Sequence, residues 1–359
     1  MLISTSTIRK ALRISRTLKK LKRTLLPATL TKICNYHTCY RETHTVPQNG
    51  PWDVLFFGSD DFAVKSLQTL HTMCDSKILQ RLEVVTVIKE RENAIAKYAR
   101  ANGIVINKWP LDINVSKFHI GVVVSFGHLI PSNVIHSFPL GMINVHASLL
   151  PRWRGAAPII YALMNGDTQT GISIMKIMPK KFDIGAIVLQ KHIDINEHDT
   201  QPVLHEKLTK VAAHVLLEVF ENLAQSLQSA VPQNEAYATY APKITSKISV
   251  IKWNEMSAKN VYNLHRALEG IYPLVATFQD RKIKLLGIQT VEESFVGLKQ
   301  EPPGVVIYDK RNNFLIVKCK GETYISVKRV VIQGRAAMNA NDFYNGFIAG
   351  KKKTKTFFT

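Results

Sequence analysis

Cysteine is scarce in this chain of 359 residues. Of four, Cys34 and Cys39 stand near the start, and Cys74 and Cys319 stand alone in separate halves. Neither a disulfide framework nor a zinc site can be spaced from such a set. Apolar runs long enough to cross a bilayer are missing, which argues against a membrane partner. A glycine-rich phosphate loop is missing as well. The turn after the first apolar run reads FFGSDDFA, with one glycine where G-x-G-x-x-G would bring the backbone to a pyrophosphate, and no P-loop lysine pattern occurs anywhere. Acidic residues are absent up to Arg41, while Arg9, Lys10, Arg13, Arg16, Lys19, Lys20, Lys22, Arg23, Lys32 and Arg41 supply ten positive charges. Ile8, Leu12, Leu18, Leu21 and Leu25 can share the opposite helical flank, the pattern of a mitochondrial presequence. A retained basic arm that binds RNA has the same composition. The abrupt arrival of acid at Glu42 favours a presequence over 1–48 and a mitochondrial matrix location.

The remaining composition is that of a folded protein: 46% of residues are hydrophobic, enough to bury a core, and the length suits two domains. The formal charge is +20, from 47 Lys and Arg against 27 Asp and Glu; beyond residue 41 a surplus of about +10 persists, which suits an anionic partner.

Regular structure is expected from Trp52. VLFFG (54–58), LEVVTVI (82–88), IGVVVSF (120–126) and GMINVHA (141–147) read as buried strands, with helices after Gly58 and over AIAKYARANG (94–103). Continuous apolar strands alternating with helices predict an α/β fold, a Rossmann-like, mostly parallel sheet covered on both faces. Ligands on such sheets sit beyond the carboxyl ends of the strands. A long amphipathic helix follows Thr200, with Pro202 in its first turn and Leu204, Leu208, Val211, Val215 and Val219 on one side. The stretch 227–250 is polar and aperiodic and reads as a linker after a catalytic domain over 49–226. SAKNVYNLHRALEG then predicts a helix capped by Ser257 and ended by Gly270. RKIKLLGIQTV, GVVIYD, NNFLIVKCK and TYISVKRVVI predict a small antiparallel, OB-like β-barrel within 251–350, a fold that often handles nucleic acid. A lysine-rich tail, 351–359, closes the chain.

The chemistry concentrates in INVHASLLPRWRGAAPI (143–159). In a strand, Asn144 and His146 point to one face, so N-x-H delivers an amide and an imidazole together at the strand's end. Side by side they can hold a carbonyl oxygen and stabilise the charge that develops when its carbon is attacked. A lone His in such a place commonly just satisfies loop carbonyls, so context must decide. SLLP and the SFGHLIP turn (125–131), at neighbouring strand ends, can form the walls of a pocket. Arg152 and Arg154 flank Trp153, a set suited to phosphates or a terminal nucleotide and equally to a solvated loop around a packed indole.

These strings, with FFGSDDFAV, NGDTQTGISIM and KKFDIGAIVLQ, resemble the folate-dependent formyltransferases over about residues 52–348. TYAPKI (239–244) and the β-rich C-terminal part are similar to the branch that acts on methionyl-tRNA, in its mitochondrial form. The resemblance implies catalytic roles for Asn144, His146 and, by motif, Asp183. It implies 10-formyltetrahydrofolate as formyl donor and no metal. The donor would lie among Phe126, Gly127, His128, Leu129 and Ile130, Ser148, Leu149, Leu150 and Pro151, and Ile184 and Gly185. The implied partner is initiator methionyl-tRNA, met by Arg152, Arg154, Lys89 and Arg91 and by Lys318, Lys320, Lys328, Arg329 and Arg335 of the C-terminal part, with the enzyme a monomer. An Asp beside the His would stabilise an imidazolium, which a neutral group could not do. The chain departs from the family where the first turn usually reads G-T-P-x-F, here Gly58-Ser59-Asp60-Asp61-Phe62, and where bacterial members carry a basic loop after the second strand. It also has Ala186 where an acidic residue often follows.

Overall fold

VLFFG lies in β1 (Trp52–Gly58), an inner strand of a seven-stranded sheet in the computed structural model, which describes residues 50–292, 298–349 and 356–359. The presequence reading and Lys351, Lys352, Lys353 and Lys355 lie outside these residues. β2 (Leu79–Thr86), β3 (Val105–Lys108), β4 (Ile120–Val124), β5 (Met142–His146), β6 (Gln169–Lys176) and β7 (Ile187–Asp194) complete the sheet in the order β3-β2-β1-β4-β5-β6-β7. β1 to β5 pair in parallel, while β6 and β7 are antiparallel additions. β2 begins earlier than the sequence predicts and stops at Thr86, whose hydroxyl donates to Gly58 O at 2.7 Å, so the chain turns away and leaves Ile88 exposed.

Both faces of the sheet are covered, which is why its inner strands have no polar alternation. On one face α1 (Asp61–Asp75) packs against α5 (Gln201–Glu221), in which Leu204, Leu208, Val215 and Val219 are fully buried and Val211 is half-buried. On the other, Leu55, Phe57, Val85, Phe118, Val123 and Phe126 form a core with Ile135 of α3 (Ser132–His136). Each large side chain so buried contributes roughly 1.5–3 kcal/mol. The remaining helices of the N-terminal part are α2 (Ala94–Ala101), α4 (Pro158–Met164) and α6 (Leu223–Gln228).

The C-terminal part opens with α7 (Ala258–Leu268), started by a full capping box between Ser257 and Asn260. Then come β8 (Leu274–Phe278), β9 (Arg281–Val291), β10 (Val305–Asp309), β11 (Phe314–Lys318), β12 (Tyr324–Ile332), β13 (Met338–Asn339), α8 (Ala340–Phe343) and β14 (Thr356–Phe357). They form a curled antiparallel sheet in the order β14-β10-β11-β12-β9-β8, with β13 on β12. Thr277 and Thr359 exchange backbone hydrogen bonds of 2.5 and 2.9 Å, which brings the end of the chain onto β8. Arg266 of α7 is buried and donates to the carbonyls of Asn196 and Asp199 (3.2 and 3.1 Å), fastening the second part to the first.

Candidate active site

β5 reaches the carboxyl edge of the sheet between β4 (Val123↔Asn144) and β6 (His146↔Ser173), and its pleat puts Asn144 and His146 on one face. His146 is 6% exposed, and its Nε2 lies 2.9 Å from Trp153 O. A carbonyl can only accept, so Nε2 carries a proton, and the tautomer this selects has its lone pair on Nδ1. Nδ1 faces Oδ1 of Asp183 at 3.8 Å, and the Asn144 amide nitrogen stands 3.5 Å from the same oxygen. The other oxygen of Asp183 accepts from Gly155 N–H at 2.8 Å. Strand, imidazole and carboxylate therefore converge, although Asp183 is 39 residues from Asn144.

Asp183 has a φ of 56°, a left-handed backbone that costs a non-glycine residue about 1 kcal/mol or more. Gly185 follows with its backbone against β6, where a Cβ would stand 1.7 Å from Lys176 O. Gly155, at φ 121°, lies close to the segment after α6: a Cβ there would meet Ala241 O at 2.7 Å. That segment is stitched to the loop after β5. Arg154 N–H donates to Thr239 O, Ala241 N–H to Arg154 O and Trp153 N–H to the Thr239 hydroxyl.

Two family models match the chain. Residues 53–220 match the model described as formyl transferase, and 243–348 match the formyl transferase C-terminal domain. The mouse protein named mitochondrial methionyl-tRNA formyltransferase is 38% identical over 313 residues, covering 84% of this chain and 80% of its own. The methionyl-tRNA formyltransferase of Caldicellulosiruptor saccharolyticus is 34% identical over 314 residues, with coverage of 82% and 97%. The chain belongs to the methionyl-tRNA formyltransferase family. An N-formyltransferase from Helicobacter canadensis, solved with folinic acid and dTDP-3-aminofucose, shares the fold at a TM-score of 0.57 and 16% identity, over 77% of this chain and 98% of that one.

Against that family background, the expected donor-site residues divide. Gly127, His128 and Leu129 are exposed at the tip of the SFGHLIP turn, and Leu149, Pro151 and Ile184 are half-buried. Phe126 and Ile130 point into the core, where Phe126 packs edge-on to Phe57 and Trp109. Ser148, Leu150 and Gly185 are buried too, Ser148 donating to Arg152 O at 2.6 Å, so these five shape the loops from behind. The unusual first turn has its own brace: Asp60 caps α1 through Phe62 N–H at 3.1 Å and accepts from the Ser125 hydroxyl. Withdrawal from water pushes the Asp60 carboxyl above its ordinary range, against the opposing pull of that Ser125 bond.

Among the expected cations, two have no charge to offer a transfer RNA. Arg154 is 3% exposed, and its guanidinium is taken up by Gln233 (3.1 and 2.7 Å) and by both oxygens of Glu235 (2.8 Å each). Lys318 is 5% exposed and donates to the carbonyls of Leu298 and Lys299. Each sits where a chain of polar acceptors meets it inside, as a buried cation requires. Arg152 remains at the surface, stacked 4.3 Å over Trp153 and paired in a fork with Asp167 (2.8 and 2.6 Å). Lys89, Arg91, Lys320, Lys328, Arg329 and Arg335 are exposed.

Sequence reasoning missed two exposed lysines, Lys282 and Lys284. The register Leu286↔Arg329 and Lys284↔Val331 places both on the outward face that carries Arg329. The alternation RKIKLL carried that signal, since Ile283 and Leu285 between them are fully buried. Among the described residues no group of three His, Cys, Asp or Glu is placed to hold a metal ion, and no helix is long and apolar enough to cross a membrane.

Proposed function

We infer that the chain transfers the formyl group of 10-formyltetrahydrofolate to the free α-amine of initiator methionyl-tRNA, yielding formylmethionyl-tRNA for mitochondrial translation initiation. The observation that carries this reading is the meeting of Asn144, His146 and Asp183 around one carboxylate oxygen. The amine nitrogen attacks the formyl carbon and gives up a proton to the free lone pair of His146 Nδ1. An N–H of Asn144, held only loosely at 3.5 Å, turns to the tetrahedral oxyanion. Asp183 faces the imidazolium so formed. Collapse breaks the bond to the folate nitrogen, which leaves as the amine with the proton from His146, and the ring returns to its starting tautomer. Gly127, His128, Leu129 and Ile184 form the exposed side of the donor site in this reading.

The deciding experiment is mass spectrometry of charged initiator transfer RNA after incubation with enzyme and donor: the aminoacyl group should gain about 28 Da, the mass of a formyl replacing a hydrogen. No gain with donor present rejects the function. The matrix location rests on the basic run before Glu42; a reporter fused to residues 1–48 should become protease-protected inside mitochondria, and a cytosolic reporter rejects it.

The outward face of β9 and β12 is the proposed track for the phosphate backbone. Lys284→Ala with Arg329→Ala should raise the KM for charged transfer RNA and lower the salt slope by about 2, near 0.9 for each lost contact, with the donor's KM unchanged. A wild-type salt slope would leave recognition to the catalytic part.

A further inference from the structure

We propose that Gln233, in the segment linking the two parts, is a positioning residue for Asp183; its kinetic arm rests on the function inferred above. Gln233 has one amide and uses both ends. Its Nε2 donates to the carbonyls of Asp183 and Gly185, each at 2.9 Å. Its Oε1 accepts from Nε and Nη2 of Arg154 at 3.1 and 2.7 Å. Arg154 is held from its other side by Glu235, and its own backbone pairs with Thr239 and Ala241. The amide is thus clamped to a buried guanidinium and reaches across to the loop that carries the carboxylate.

That loop needs a clamp. Asp183 is in a left-handed conformation that an aspartate holds only when its surroundings over-determine it. Gly155 N–H fixes one side-chain oxygen, but nothing on the side chain fixes the peptide behind it. Gln233 does so at the carbonyls of Asp183 and Gly185. An amide is the one side chain that meets this demand, since it must accept from a cation and donate to two carbonyls. Gln233 is distant in sequence, by 50 residues from Asp183 and 79 from Arg154, and the linking segment becomes a wall of the catalytic site.

Gln233→Glu separates the two functions of the amide. It keeps an oxygen for Arg154 and replaces the donor by a second oxygen, which two carbonyls repel. Gln233→Leu removes both functions. Formyl transfer at saturating substrates should fall by about 10- to 100-fold in Gln233→Glu, the scale of a misplacement near 1 Å, with both KM values within about twofold of wild type. Hydrogen exchange of the segment 177–187 should quicken while α5 and the C-terminal strands keep wild-type protection. Folate-binding stoichiometry should stay at wild-type level, which excludes a loss through unfolded protein. A kcat within twofold of wild type, unchanged exchange in 177–187, or a kcat loss matched by lost stoichiometry would each overturn the proposal. A wild-type enzyme without formyl transfer overturns the function instead, and the exchange measurement still reports on Gln233.

Discussion

Replacing His146 or Asp183 by Ala should lower turnover by about 10²-fold or more while the KM for 10-formyltetrahydrofolate stays near its wild-type value. His146 is held by Trp153 O on one side and faces Asp183 on the other. Its loss should therefore fall on the proposed proton transfer more than on donor binding. Asp183→Asn is the sharper variant, because it keeps an acceptor for Gly155 N–H and removes only the charge that faces the imidazolium. Asn144→Ala should behave like the other two if its amide meets the oxyanion. Turnover within threefold of wild type in any of them would take that residue out of the mechanism.

Gly185→Ala is the second large effect, and it acts through backbone alone. The new Cβ would stand 1.7 Å from Lys176 O and 2.7 Å from Lys176 C, in contact with a β6 residue whose N–H is bonded to Ala186 O. No rotamer relieves a clash between main chains, so the loop that carries Asp183 must lift away. A displacement near 1 Å costs about 10²-fold in rate, and the broken packing about 2–4 kcal/mol in stability. Gly103→Ala is the control: φ there is 68° and nothing lies within 4 Å of the added carbon, so only the left-handed strain remains. Thermal unfolding and single-turnover formyl transfer distinguish them; equal melting temperatures and rates for the two variants would show that the loop yields freely.

The parallel half of the fold was legible because burial on both faces leaves unbroken apolar runs, and VLFFG and IGVVV are such runs. β3 was not, since at the sheet's edge it is neither alternating nor fully buried. β6 and β7 were not legible either, since they depart from the parallel βα rhythm and β7, at the other edge, is only half-buried. In the site, N-x-H was legible from pleat geometry, and Asp183 only through family likeness, since nothing local marks an aspartate as facing a histidine 37 residues earlier. Charge was the least legible property. Arg154 and Lys318 look like surface cations in the sequence, yet their acceptors, Gln233, Glu235 and the carbonyls at 298 and 299, come from segments that only tertiary folding delivers.

The last residues of the chain have a practical side. Phe358 is 1% exposed, packed against Trp253, Phe278 and Phe343, and Thr359 answers Thr277 through both its amide and its carbonyl. Loss of Phe358 and Thr359 would thus take out a ring from the middle of an aromatic stack and the stitch along the curled sheet's seam. Such a molecule would show water the apolar rings that the intact one keeps dry, and with them a surface prone to self-association.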